Sequence, residues 1–396
     1  MFGVVLALAG LAFLAVTQGG GLWFDPADNG WLGGSLWWVA VTAGAGILVG
    51  LLRRAFRMPV HQGGLIEELQ DERVEPSGVP GTVAVSALSL VGGASLGPEA
   101  ALGSMGGGLG TWFSGREGDD EGARKANTLT GMSGAYGGLL SSPFLATMLV
   151  VEIARPSGAR FRDTLFGGLV AASVCFAIFF PIAGDTFLGI YELPSYKYED
   201  WHLLAAIPLG LVAAALAMTL AVTVGVLRRA TAPLEPRTVL RPAIGGVAFG
   251  LIGVAFPLTL FTGSDQLTTV IDDRAAIGAG LLIAVVFAKI LAFATSMSTG
   301  FIGGPFFPSL FIGGTAGVAA HLLIPGLPLG LAFSCLFAAL PGALVAAPFT
   351  LVLLAALTTQ VGTLQTAPIG IAVLTAYLAV SGSGILVEMA RRQRTS

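Results

Sequence analysis

GGASLGPEAALGSM, residues Gly92–Met105, is the stretch from which the rest of the chain is read. It sets one carboxylate, Glu99, inside a long apolar region, directly after Pro98 and ahead of a Gly/Ala/Ser-rich run of helical character. Proline is suited to the first turn of a helix, where its missing N–H costs nothing. A charged side chain at membrane depth is expensive and usually faces a cavity or a partner. A carboxylate beside the free backbone N–H groups of a helix start is electrostatically at home. Two readings fit the residue alone. Glu99 caps its own helix in a loop, or it occupies a seat from which another anion can displace it, and so forms a gate.

The surroundings of this stretch are those of a membrane. Of 396 residues, 54% are hydrophobic and 11% charged, with a mean hydropathy of +0.83. Soluble domains carry about 25% charged residues, so the chain reads as an integral membrane protein. Its apolar segments are helical in character and do not alternate, which excludes a β-barrel. The 57 glycines suit close helix packing and broken helices. A net charge of −3 says little about partners. Cys175 and Cys335 lie far apart in apolar segments, which argues against a disulfide framework or a metal cluster. The N-terminal run Phe2–Thr17 has no basic region before it and no convincing cleavage site, so it reads as a mature helix.

Hydropathy places ten or eleven membrane segments near residues 2–18, 36–52, 79–113, 126–153, 164–183, 202–227, 243–261, 276–299, 301–324, 329–358 and 366–389. Those at 79–113 and 301–324 are too rich in glycine to be plain spans. The chain reads as one transmembrane domain over 1–396, with approximate halves 1–232 and 233–396 and no soluble domain. Basic residues cluster at Arg53–Arg57, Arg155–Arg162, Arg228–Arg241 and Arg391–Arg394, whereas Tyr191–Trp201 and Asp272–Asp273 are acidic. The positive-inside rule puts the basic set, with the C-terminus, in the cytoplasm. The expected setting is the cell's inner or plasma membrane.

A weak repeat links the two halves. GASLGPEAALGSMGGGLG (Gly93–Gly110) is followed some forty residues later by SSPFLATMLVVE (Ser141–Glu152). GFIGGPFFPSLFIGGTAG (Gly300–Gly317) is followed at similar distance by AAPFTLVLLAAL (Ala346–Leu357). Each time a Gly/Pro break opens an apolar helix, and a second helix starts at a small-Pro-Phe step. Paired broken helices in two halves are the best sequence-level pointer to a transport site near the midplane.

These residues resemble the CLC family of chloride channels and chloride/proton exchangers. GPFFPSLFIGG (Gly304–Gly314) looks like that family's GxFxP element, and SLGPEAALG (Ser95–Gly103) like its GREGP element, whose glutamate is the gate. HQGGLIEE (His61–Glu68) occupies the place of the GSGIPE element, and SPFLATMLVVEIARP (Ser142–Pro156) resembles the helix after the gate helix. The four stand in family order and cover most of the chain from about residue 58 to 380. The resemblance implies an all-α polytopic fold, an inverted repeat with tilted, broken and half-spanning helices. It also implies a homodimer with a separate pathway in each subunit.

An anion stripped of water needs donors, yet a full Lys or Arg would hold it too tightly to release; partial charges at helix N-termini avoid this. The candidate anion-binding donors are the backbone amides of Gly63, Gly64 and Leu65, of Ala100 and Ala101, and of Phe306 and Phe307, since Pro305 has no N–H. Glu99 would compete with the anion, so flux is expected to depend on pH.

The departures from the family pattern matter as much. Pro98 stands where the family has Arg, and Ala100-Ala101 where it has Gly-Pro. Gly63 replaces the central serine, and the central tyrosine falls near Ile385. The family's exchangers carry an inner glutamate at the position of Ile153, with Glu152 beside it. Without that acid, channel-like movement of a small inorganic anion, chloride first, is the expected function. Proton-coupled exchange of chloride or fluoride is the alternative, with Glu152 as the possible proton relay. The expected partners are the anion, protons in the coupled case, the bilayer and a second copy, with no nucleic acid, cofactor or metal.

Three further features have bland readings. GMSGAYG (Gly131–Gly137) with His202 resembles the Ser–His pair of rhomboid intramembrane proteases, a remote alternative, since small-residue runs are far more often packing surfaces. His61 and His321 are scattered polar residues that form no metal set. Lys289 is expected to snorkel, Glu67 and Glu68 to be structural or vestibular, and Trp23, Trp31, Trp37, Trp38 and Trp201 to form an interfacial belt.

Overall fold

The computed structural model describes residues 2–21, 34–59, 65–118, 120–140, 142–183 and 188–382. Among them the chain forms seventeen α-helices. They are α1 (Phe2–Gly21), α2 (Trp37–Ala55), α3 (Leu65–Asp71), α4 (Val79–Val91), α5 (Glu99–Glu117), α6 (Glu121–Leu139), α7 (Pro143–Ala154), α8 (Ala159–Ala183) and α9 (Trp201–Thr231), followed by α10 (Leu240–Ala255), α11 (Ser264–Asp272), α12 (Arg274–Ile277), α13 (Ala279–Ser298), α14 (Phe306–Leu323), α15 (Leu329–Leu344), α16 (Pro348–Thr359) and α17 (Thr366–Gly382).

Among the described residues, six stretches are long and apolar enough to cross a membrane: Trp37–Ala55, Ala159–Ala183, Trp201–Leu234, Ala279–Ser298, Phe306–Leu323 and Thr363–Gly382. Six more apolar helices, among them α7, α10, α15 and α16, run to 17 residues at most. At 1.5 Å per residue such helices reach about 25 Å, short of a bilayer's roughly 30 Å hydrocarbon core. Three of the segments read from hydropathy therefore split in two: 79–113 into α4 and α5, 126–153 into α6 and α7, and 329–358 into α15 and α16.

The sequence repeat is carried by matched elements. α5, α6 and α7 have 19, 19 and 12 residues; α14, α15 and α16 have 18, 16 and 12. Both twelve-residue helices start with proline and end on a non-glycine residue in the left-handed conformation, Arg155 at φ 52° and Gln360 at φ 51°.

The chain divides into two compact units, interleaved in sequence. One comprises Met1–Gly189, Val224–Gly263 and Leu291–Pro308; the other comprises Ile190–Thr223, Ser264–Ile290 and Ser309–Ser396. In the first, α6 is central and packs on α1, α5, α7 and α8. Its residues Thr128–Leu139 are all buried. The approach to α5 is close enough that a Cβ on Gly106 would meet the Gly131 carbonyl, and one on Gly131 the Gly106 carbonyl. Thr111 and Thr128 join the same pair of helices through their hydroxyls at 2.8 Å. Small residues thus replace side-chain interdigitation with backbone contact, the usual device where lipid offers no hydrophobic drive.

In the second unit α15 is apolar all round and buried from Leu329 to Ala343, packing on α16 and α17. Phe333 and Phe337 stack at 5.3 Å with Tyr191 set edge-on, and Ser334 donates to Thr359 Oγ1 at 3.0 Å. Lys289 does not snorkel. It is fully buried, its ammonium 4.9 Å from the Phe311 ring centre. Trp37 and Trp201 are exposed as a belt requires, but Trp38 is 2% exposed and belongs to the core. Trp23, Trp31, His61, Ile385 and Arg391–Arg394 lie outside the described residues.

Candidate functional site

Glu99 is the first residue of α5, after Pro98. The chain enters this helix through a reversal at Gly92 and Gly93, the latter at φ +81°, then bends at Ser95, with Leu96 N donating to Ala94 O at 2.8 Å, before reaching Gly97. There it meets the other glycine-rich break. Gly97 N donates to Gly304 O at 2.9 Å and Gly304 N to Gly97 O at 2.8 Å, an isolated antiparallel bridge between residues far apart in sequence. Ser89 reinforces the junction by accepting from Ile302 N at 3.2 Å.

The bridge brings the start of α14 to the start of α5. Phe306 N–H, at the first position of α14, donates to Glu99 Oε1 at 2.6 Å. The N–H groups of Phe307 and of Glu99 itself also face the carboxyl group. The side chain is 2% exposed, and Oε2 has no hydrogen-bond partner. A buried carboxylate is thus held by backbone dipoles at helix N-termini, with one oxygen left unsatisfied.

Glycine leaves room for the Glu99 carboxyl group on both sides of this seat. A Cβ on Gly304 would fall on Glu99 Oε1, Cδ and Cγ, and one on Gly97 on Glu99 Oε2 and Cδ. Tyr136 of α6, fully buried, donates its hydroxyl to Glu99 O at 3.2 Å. On the first turn of α5, Ala100 and Ala101 precede the first intrahelical bond, Leu102 N to Pro98 O at 3.1 Å, so their N–H groups belong to the free set at the helix start.

Among the expected anion-binding residues, then, Phe306 and Phe307 meet Glu99 directly, and Ala100 and Ala101 adjoin it. Leu65 opens α3, while Gly63 and Gly64 lie outside the described residues. Glu152 stands part-buried near the end of α7, beside Ile153, which is 7% exposed. Ser133 donates to Leu129 O on its own helix at 2.9 Å, and His202 Nδ1 accepts from Glu199 N at 3.1 Å, so each protease-like residue is satisfied locally.

Three participants have contacts that the sequence reading did not give them. Tyr136 sits inside the run read as a packing surface. Ser104, on α5, donates to Glu68 with its hydroxyl 3.0 Å from Oε1 and 3.1 Å from Oε2. Glu68 belongs to α3, outside the spans read from hydropathy, and is part-buried. Burial pushes its carboxyl up to about 7, with the Ser104 hydroxyl pulling it down and the Glu67 charge pushing it up again. The glycine and serine density of α5 was the one available hint that polar atoms of other helices approach it.

The arrangement has relatives. Residues 45–381 match the family described as voltage gated chloride channel. The chain is 29% identical over 317 residues to YfeO of Salmonella newport (strain SL254), an ion-transport protein by name, covering 76% of this chain and 72% of that one. Its structure is similar to that of a slow cyanobacterial Cl−/H+ antiporter, with TM-score 0.80 at 19% identity, over 100% of this chain and 97% of the other. A CLC-type fluoride/proton antiporter gives TM-score 0.77 at 18% identity, over 95% and 92%. The all-α, polytopic, CLC-like inverted-repeat fold expected from sequence is the fold these likenesses show.

Proposed function

This chain belongs to the voltage gated chloride channel family, and we propose that it moves a small inorganic anion, chloride first, along a pathway gated by Glu99 in exchange for protons. The observation that carries this reading is the bond from Phe306 N–H to the buried Glu99 carboxylate. A carboxylate held by backbone amides marks a place where a desolvated anion would be bound by partial charges. Ionised, Glu99 fills that place; protonated or displaced, it yields it to the anion. The donors in this reading are the backbone amides of Phe306 and Phe307 and of Ala100 and Ala101, together with those of Gly63, Gly64 and Leu65 expected from the sequence. The protein would act as a homodimer with one pathway per subunit, a single transmembrane domain in the cell's inner or plasma membrane with its C-terminus in the cytoplasm.

Ile153 favours a second reading, channel-like conduction, because an apolar residue at that position cannot pass a proton. Proton coupling is preferred here because a second carboxyl group, Glu68, is tied to the same helix as Glu99, and because the similar structures are proton antiporters by title.

The test is chloride efflux from proteoliposomes with simultaneous proton recording, for the wild type and Glu99→Ala. Chloride-driven proton movement that disappears in Glu99→Ala supports exchange. Chloride movement without protons in the wild type supports the channel-like reading. Silence towards chloride, fluoride and nitrate in both proteins overturns anion transport.

A further inference from the structure

We propose that Glu68, on α3, is the inner proton station of this pathway, passing protons between the Tyr136–Glu99 pair and the cytoplasmic water. The inference rests on the coupled reading above. Three observations in one compact unit carry it.

The first is connection. Ser104 ties the Glu68 carboxyl to α5, the helix that Glu99 opens. Tyr136 bonds the Glu99 backbone, and its hydroxyl lies within the fields of both Glu68 and Glu99. The second is access. Glu99 is 2% exposed and cannot trade protons with water in this conformation. Glu68 is part-buried, next to the exposed Glu67, on a short helix that follows the basic Arg53–Arg57 segment. By the positive-inside rule that segment is cytoplasmic. The third is substitution. Where the family resemblance places an inner acid, this chain has the buried, apolar Ile153, which holds no proton.

The groups around Glu68 suit the role. α3 packs on α5 and α7. From α5 come Ser104 and, further along, Glu99; from α6 comes the Tyr136 hydroxyl; on α7 the one titratable residue is Glu152. Glu67 adds a like charge from the same helix, and Arg228 acts on Glu67. Proton bookkeeping is simple. Protonated Glu99 gives up its proton and the Glu68 carboxylate takes it up. Glu99 is then a carboxylate competing with the anion, and Glu68 releases its proton to water.

The experiment compares chloride and proton movement in proteoliposomes for the wild type, Glu68→Gln and Glu152→Gln. The expected result is a loss of proton movement of at least tenfold in Glu68→Gln while chloride efflux continues. Proton movement in Glu68→Gln within twofold of the wild type overturns the assignment, as does a loss confined to Glu152→Gln. A wild type that moves chloride without protons defeats the coupled reading itself, a separate outcome. Should Glu68→Gln fail to fold, Ser104→Ala keeps the carboxyl and removes only the hydroxyl that lowers its proton affinity. The pH midpoint of coupled transport then shifts upward by several tenths of a unit; an unshifted midpoint overturns the assignment.

Discussion

Replacing Gly304 by alanine isolates the seat of Glu99 in a way that can be measured. The backbone at Gly304 is not left-handed, so alanine meets no conformational strain there. What it meets is the Glu99 side chain, whose Oε1, Cδ and Cγ are the three atoms nearest to the new Cβ. The carboxylate must therefore leave, giving up the 2.6 Å bond from Phe306 N–H. A hydrogen bond to a charged group contributes about 1.5–3 kcal/mol. Gly304→Ala alone should be destabilised by roughly that amount. In a Glu99→Ala background the obstructing atoms are absent, so the second substitution should cost almost nothing further. The assay is equilibrium unfolding in mixed micelles, followed by tryptophan fluorescence, for the two single variants and the double. Independent sites add within about 0.3–0.5 kcal/mol. Additivity at that level would refute the argument, because it would mean that the glycine does not shape the glutamate's seat.

Two further outcomes follow from the same geometry. Glu68 has a folded pKa of about 7 against a usual 4.5, so its contribution to stability is fully present below the unfolded value and is lost as pH rises through the folded one. Glu68→Gln should accordingly melt close to the wild type at pH 4.5 and above it at pH 8, measured by thermal unfolding in detergent; identical melting at pH 8 would count against the burial of that carboxyl. At the end of α13, Ser298 O accepts from Arg241 Nη2 at 2.8 Å, Arg241 Nε at 3.2 Å and Thr231 Oγ1 at 2.8 Å. Arg241→Met removes the cationic cap of a helix C-terminus and should destabilise the protein by about 1.5–3 kcal/mol, read as a lower melting temperature in the same assay.

What could be read from the amino-acid order alone is what local physics controls. Pro98 before Glu99, the small-Pro-Phe steps at Pro143 and Pro348, and the Gly/Pro breaks at 92–98 and 300–305 set where helices start and stop, because they act on their own backbone within a turn or two. The same residues made the repeat visible and marked Glu99, Phe306 and Phe307. The mean hydropathy required a membrane setting because no soluble core could absorb so many apolar side chains. Hydropathy was blind to the divisions between α4 and α5, α6 and α7, and α15 and α16, since a window average cannot register a bend.

The tertiary structure alone decided which free backbone groups meet which side chains. The Gly97–Gly304 bridge and the Phe306–Glu99 bond join positions 207 residues apart, and no local signal specifies such a pairing. Lys289 and Trp38 passed for interfacial residues because sequence shows only what they could touch, not whether a helix covers them. Glu68 passed for a vestibular acid for the same reason. Its tie to Ser104 exists only once α3 is laid against α5, and burial and partner choice are properties of that packing.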